Sequence, residues 1–396
     1  MRPELFTIPL LGWTIKGYGL MLMIGFLSGI WLAARRAAKV KADPDLIINM
    51  GFIALIFGVI GARAFYVIHY WESSFARQPN IFWAVVNLTS GGLEFYGGVI
   101  GALPALLAYL VYKRVSVRMY VDIMAPSLMW GLAFGRMGCF LNGCCWGGVC
   151  ATEDGRKALP WAVSFPYGSP AMASQWLSRQ MTLPAELIYV GAAGEASPIP
   201  RDLMFMSQEK LFGPVRAFEK AQEALKQARD SQADAKTIER LKSRAKRAEE
   251  ALQRHKANLG ILQTKADPFG QEAGKMTLSE LSDLARTFRS LPVHPAQLYA
   301  SINALLLSGL LSAVFVFRKR HGIVLCLMLI LKGASRIVLE NVRVDNPLDT
   351  AGLTISGALS AAMIVLGIIG IMILYRLPLR SPRAVAYVPA PMPQKQ

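Results

Sequence analysis

Seven runs of mainly apolar residues, each close to the ~20 residues needed to cross a bilayer, constrain this chain more than any other feature. They are Tyr18–Ala34, Ile47–Tyr70, Phe95–Tyr112, Val121–Phe140, Ala296–Phe317, Ile323–Leu339 and Leu353–Tyr375. In hydrocarbon, backbone N–H and C=O groups must be satisfied within the segment, so such runs fold as helices. Only 17% of the residues are charged, against about 25% in soluble domains. The expected fold class is all-α: a polytopic membrane protein with about seven transmembrane helices and a helical extracytoplasmic insertion. The first run is followed by its basic residues, "RRAAKVK", the reverse of a cleavable signal. It reads as a retained span.

Basic patches set the expected orientation. "ARRAAKVK" follows the first span, "YKRVSVR" the third, "FRKRHG" the fifth and "YRLPLRSPR" the seventh. With an odd number of spans all four share one side, which the positive-inside rule makes cytoplasmic. The N-terminus is then extracytoplasmic and the C-terminus cytoplasmic. The net charge of +17 divides between these loops and the polar insertion. No basic stripe is interleaved with aromatics, so no nucleic-acid partner is expected.

The expected organisation is a membrane domain over 1–145 (spans one to four) and a mostly helical extracytoplasmic insertion over 146–293. A second membrane portion, 294–378, carries spans five to seven, and 379–396 is a Pro-rich, disordered cytoplasmic tail. Between Arg216 and Gly260 charges alternate in sign along an Ala-rich stretch, the pattern of a solvated helix. This predicts a long helix, a helical hairpin or a coiled coil, with Gly260 at its C-terminal end.

Four groups of residues carry chemistry. Arg63, Arg136 and Arg336 lie in three separate apolar runs, each beside small residues, and Glu340 and Arg343 follow Arg336 by about one and two turns. One arginine near a span end can snorkel. Three such residues, at about 2.5–3.5 kcal/mol each on insertion scales, mark a path or ligand inside a bundle. The guanidinium fork suits bidentate phosphate recognition, which points to a phospholipid headgroup. "SGGLEFYGGVIGA" surrounds Tyr96 with Gly97, Gly98 and other glycines. It reads equally as close helix packing or as a kinked segment opening Tyr96 to a polar cavity. In "HPAQLYAS", Pro295 suits a first helical position with His294 at the cap, and Gln297 and Tyr299 could line the same cavity. "GCFLNGCCWGGVC" has no CxxC pair and no nearby histidine, so no metal is expected. Cys144 or Cys145 could pair with Cys150 outside the cytoplasm. The plainer reading is small residues tightening the exit of a span.

The ordered motifs "GYGLM", "GARAFYVIHY", "GGLEFYGGVIG", "GRMGCFLNGCCWGG", "LPWAVSFP", "HPAQLY" and "KGASRIVLENVRVDNP" resemble the prolipoprotein diacylglyceryl transferase family over the whole membrane portion. The insertion between about Ala171 and Ser290 has no counterpart in that resemblance. The resemblance implies an enzyme of the bacterial inner membrane that acts without a cofactor. It would move the diacylglyceryl group of phosphatidylglycerol onto the lipobox cysteine thiol of preprolipoproteins, forming a thioether and releasing glycerol phosphate. Its partners would be that lipid, those proteins and membrane lipids generally.

It also implies roles. Arg136 would grip the phosphate and Arg336 would share the headgroup charge. Glu340 would orient Arg336 or Arg343. Asn142 and Gly147 match polar and small positions of the signature loop, and Tyr18 a cavity tyrosine. Three positions depart from the family pattern. Tyr96 stands where many members have a histidine, the usual candidate base. Cys139 and Cys144 stand for an asparagine and a glutamate, and Lys332 for a tyrosine. A thiol with pKa near 8.5 costs about 2 kcal/mol to deprotonate at pH 7, and tyrosine is a poor base there, so the base is unassigned. The alternatives are a non-catalytic phospholipid-binding or scaffold paralogue, and a small-solute transporter, for which no inverted repeats are visible.

Overall fold

The computed structural model describes residues 4–8, 13–76, 80–88, 91–152, 154–191, 194–206, 208–231, 234–263, 266–267, 276–340, 342, 354–381 and 383–384. Arg343 and residues 385–396 of the expected tail lie outside the described residues. In chain order the helices are α1 Gly17–Lys39, α2 Pro44–His69, α3 Ile81–Val86, α4 Phe95–Tyr112, α5 Val117–Asn142, α6 Pro170–Leu177 and α7 Arg201–Met204. They continue with α8 Gln208–Asp230, α9 Ala235–Gln263, α10 Leu278–Thr287, α11 Ala296–Phe317, α12 Ile323–Glu340 and α13 Ile355–Arg376.

The chain forms two compact units, one of them Gly148–Pro295 and the other built from the segments on either side. In the second unit α1, α2, α4, α11 and α13 are each long and apolar enough to cross a membrane. The two other helices expected as spans, α5 and α12, are 26 and 18 residues long. They carry the charges Asp122, Arg136, Lys332, Arg336 and Glu340, which dilute the apolar signal. Helix starts follow local chemistry. Asp43 caps α2 with Pro44 at its first position, Ser116 caps α5 and Thr354 caps α13. A short antiparallel hairpin, β1 Glu4–Ile8 with β2 Trp13–Lys16, precedes α1.

Small residues let the helices approach closely. A Cβ on Gly61 of α2 would lie 2.9 Å from the Gly101 Cα of α4, and one on Gly101 would lie 3.0 Å from the Gly61 Cα. Gly97 and Gly98 belong to this seam. A Cβ on Gly97 would meet the Gly61 carbonyl, and one on Gly98 would lie 3.3 Å from the Gly58 carbonyl. Of the two readings the sequence leaves open for Gly97 and Gly98, packing or cavity lining, the seam is the one they occupy, and α4 is a continuous helix from Phe95.

The α5–α12 junction is polar and buried. The Asp122 carboxylate, fully buried, accepts from the backbone N–H groups of Gly322 (2.7 Å), Val324 (3.0 Å) and Leu325 (3.1 Å). It also pairs with Arg318 at 3.3 Å. A residue of α5 thus caps α12 from across the bundle, satisfying donors that every helix start leaves orphaned. Part of the expected tail is tied down: the His321 N–H donates to the Leu379 carbonyl at 3.0 Å, and the Ser381 N–H donates to His321 Nδ1 at 3.4 Å.

The Gly148–Pro295 unit has its own core around Tyr167, Met172, Leu187, Leu262 and Leu281. The Tyr167 hydroxyl donates to the carbonyls of Leu187 (3.2 Å) and Ile199 (3.0 Å), and burial pushes its pKa up to about 12. The charged Ala-rich stretch forms the pair α8 and α9, which pack on each other. Gly260 lies inside α9 rather than beyond its end. A single glycine costs an Ala-rich helix only about 1 kcal/mol, which α9 absorbs.

Candidate functional site

Antiparallel packing brings the start of α1, the end of α5, the start of α11 and the end of α12 to the same end of the membrane unit. Tyr18 lies against α5, where a Cβ on Gly138 would sit 3.0 Å from the Tyr18 ring. The Ser301 hydroxyl donates to the Ala133 carbonyl at 3.0 Å, fixing α11 along α5. Gln297, buried on the first turn of α11, donates from Nε2 to the Cys144 carbonyl at 2.8 Å.

Arg136, half-buried two turns before the end of α5, belongs to a cationic group. Lys332 of α12 lies within electrostatic range of both Arg136 and Arg336. Arg336 is oriented by an ion pair with Glu340 one turn on, 3.1 Å, and by donation from Nε to the Ser356 hydroxyl at 2.6 Å. The Thr354 hydroxyl holds the other Glu340 oxygen at 2.9 Å. Three cations against one carboxylate leave this end of the bundle electropositive, as an anionic headgroup requires. Tyr18 lies within electrostatic range of Arg136 and of three thiols, Cys139, Cys144 and Cys145.

Those thiols follow Arg136 directly. Gly143 adopts the left-handed conformation (φ 73°) that ends α5, as such caps commonly do. Cys145 follows at φ 61°, a region a side chain enters only at some cost. The double reversal folds the Cys144 and Cys145 side chains back toward the last turn of α5, and the three sulfurs lie within 4.8 Å of one another. All three cysteines are partly exposed, and no disulfide joins any of the described cysteines. Asn142 is hydrogen-bonded to Cys144 through its side chain, and Gly147 is buried where the loop leaves the site.

One expected residue has another occupation. Arg63 is buried, and its Nε donates to the Val85 carbonyl at 2.7 Å. Nη1 reaches Gly91 and Gly92 at 2.8 and 2.9 Å, and Nη2 reaches Ala84 and Asn87 at 2.7 and 2.9 Å. A guanidinium has five N–H donors, so none remains for a phosphate. Arg63 ties the segment between α2 and α4 to α2. His294 precedes α11 by two residues, its backbone N–H donating to the Gly148 carbonyl at 3.0 Å. Tyr96 is half-exposed on the first turn of α4, against the Phe95 ring, and Tyr299 lies on the first turn of α11.

Sequence reasoning missed one polar pair nearby in the chain. His69 Nδ1 lies 2.8 Å from Glu94 Oε1, joining the end of α2 to the cap of α4, with the imidazole largely exposed. A histidine and a glutamate closing the two sides of one loop was the available signal.

Helices long and apolar enough to cross a membrane, grouped with an electropositive, thiol-lined end, define a polytopic membrane protein. The chain belongs to the prolipoprotein diacylglyceryl transferase family, whose model matches residues 3–373. It is 38% identical over 172 residues to the phosphatidylglycerol–prolipoprotein diacylglyceryl transferase of Rhodopirellula baltica, covering 43% of this chain and 34% of that one. It is 37% identical over 157 residues to the enzyme of the same name from Nitratidesulfovibrio vulgaris, covering 39% of this chain and 56% of that one. With the enzyme of that name from Photobacterium profundum it shares 36% over 158 residues, 39% and 56% of the two chains. The match thus spans about a third of the first relative and just over half of the other two.

Proposed function

We propose that this chain transfers the diacylglyceryl group of phosphatidylglycerol to the lipobox cysteine of preprolipoproteins in the bacterial inner membrane, forming a thioether. The observation that carries the reading is the grouping of Arg136, Lys332 and Arg336 at the end of the bundle beside the thiol-lined loop. The lipid phosphate, a diester with one negative charge, binds among these cations. The substrate sulfur attacks the glycerol carbon that bears the phosphate ester. A C–S bond forms, the C–O bond breaks, and the electron pair leaves on glycerol phosphate, whose phosphate becomes a dianion. Cations fixed beforehand around the developing charge stabilise that transition state more than the ground state.

A cytoplasmic C-terminal side is supported by the opposite end of the unit, where a cavity of about 1320 Å³ is lined by Arg36, Lys39, Lys41, Arg318, Lys319 and Arg380. That concentration of cations supports a cytoplasmic assignment for it. The N-terminus and the site then lie on the extracytoplasmic side, and the 146–293 insertion forms an extracytoplasmic domain that docks the lipoprotein substrate.

The test compares wild type with Arg136→Ala, both purified in phosphatidylglycerol micelles with a lipobox peptide. We expect turnover to fall about 10²–10³-fold, the usual cost of removing one preorganised donor, with helicity unchanged. Equal rates would remove Arg136 from the mechanism. Lipid binding by wild type with no thioether would show a non-catalytic phospholipid-binding paralogue.

A further inference from the structure

The transferase reading assigns no group to deprotonate the substrate thiol, and the thiol cluster can fill that role. We propose that Cys139, Cys144 and Cys145 bind a zinc ion as three thiolates, leaving a fourth position for the lipobox sulfur of the substrate. The inference rests on the transferase reading for its substrate but not for its metal.

The geometry fits the ion. Four Zn–S bonds of about 2.3 Å in a tetrahedron place sulfurs about 3.8 Å apart, and the three sulfurs already lie within 4.8 Å of one another. Three protein ligands with one open position is the arrangement of catalytic rather than structural zinc. The three cysteines are partly exposed while Cys150 and Cys326 are buried, so an outside sulfur can approach the cluster. The frame is built. The left-handed backbone at Gly143 and Cys145 aims both loop sulfurs at Cys139, and Gln297 clamps the Cys144 carbonyl at 2.8 Å, as outer-shell groups do at metal sites. A soft, all-sulfur set favours zinc over magnesium or calcium.

The chemistry follows. On coordination the substrate S–H gives its proton to water and its sulfur becomes a zinc-bound thiolate at neutral pH. That sulfur then attacks the lipid carbon as above, the thioether formed is a poorer ligand, and it leaves. No electron is exchanged with the metal. Arg136 lies one helical turn before Cys139, so phosphate grip and nucleophile are held on adjacent turns of α5.

The test uses the full chain in detergent. We expect about one zinc per protein in the wild type and in Cys326→Ser, and loss of it in Cys139→Ser and Cys144→Ser. In the cobalt-substituted protein, a lipobox peptide should raise sulfur-to-cobalt absorbance and a Cys-to-Ser peptide should not. Chelation of the wild type should slow thioether formation about 30-fold at pH 7, the thiolate deficit of a thiol with pKa near 8.5. The residual rate should rise with pH, and zinc should restore the original one. Full turnover in metal-free protein, in Cys139→Ser, or in protein carrying a disulfide among these three cysteines overturns the zinc site and leaves the transferase reading standing. Zinc-loaded protein that binds the peptide sulfur yet forms no thioether overturns the transferase reading and supports the site.

Discussion

Replacing Asp122 by alanine should be among the most destabilising single changes in the membrane unit. The carboxylate accepts three backbone hydrogen bonds at 2.7–3.1 Å from the first turn of α12. It also neutralises Arg318, whose side chain is only 5% exposed. Hydrogen bonds to a charged group contribute about 1.5–3 kcal/mol each. Part is regained as water enters, and removing one partner of a buried ion pair costs about 3–5 kcal/mol. With about 2–4 °C per kcal/mol for a domain of this size, Asp122→Ala should lower the unfolding midpoint in detergent by about 6–20 °C. Asp122→Asn should fall between. Its amide oxygen can still accept from Val324 and Leu325, while its NH₂ group meets the Gly322 N–H and the charge opposite Arg318 is gone. Because this junction sets where α12 lies along α5, and hence where Lys332 and Arg336 meet Arg136, turnover should fall in parallel. A midpoint within 2 °C of wild type for Asp122→Ala would refute the assignment of Asp122 as the cap of α12.

Three further expectations follow from the same geometry. Gly101→Leu drives a side chain into Gly61 across the α2–α4 seam and should cost at least the 1–3 kcal/mol or so of an overpacked core, read as a lower midpoint and poorer yield of folded protein. Arg63→Lys keeps the charge but cannot serve five carbonyls. It should destabilise the loop between α2 and α4 in hydrogen exchange while leaving the affinity for phosphatidylglycerol within about threefold. In the Gly148–Pro295 unit the Glu280 carboxylate accepts from the Thr277 N–H and hydroxyl, and these bonds hold its pKa below the ordinary 4.5. The stability it gives α10 is therefore complete above that value and lost as the pH falls through the lower folded pKa. Thr277→Ala should cost about 1 kcal/mol and flatten this acid dependence in the exchange of α10 amides.

How much was legible depended on whether the signal was local. Apolar runs set the seven long helices of the membrane unit to within a few residues, because helix formation in an apolar solvent depends on length and composition alone. α5 and α12 had to be read through their charges: Asp122 caps the start of α12, and Arg136, Lys332 and Arg336 form the cationic group on which the proposed function rests. Arg63 and Arg136 look alike in sequence, each an arginine beside a glycine or alanine in an apolar run. What separates them is the partner segment: Ala84, Asn87, Gly91 and Gly92 present carbonyls to Arg63, while Arg136 has Lys332 of another helix within electrostatic range. Lys332 read as a departure from a family pattern, and its contribution to a cationic group needed the α5–α12 packing. Spacing argued against a metal because CxxC ligands reach one ion through a regular turn. Here Cys139, Cys144 and Cys145 converge through two left-handed residues, which spacing does not encode. The glycines around Tyr96 were ambiguous for the same reason, since a seam and a cavity both call for small residues.

The central claim, transfer of a diacylglyceryl group to sulfur by C–O cleavage, is tested most directly by a mass balance in ¹⁸O-water. Purified protein is incubated with phosphatidylglycerol and a lipobox peptide, and the peptide and the released glycerol phosphate are weighed together. The account predicts one diacylglyceryl mass gained on the peptide cysteine per glycerol phosphate released, with no ¹⁸O in the phosphate. Release without gain on the peptide, or ¹⁸O in the phosphate, would contradict it.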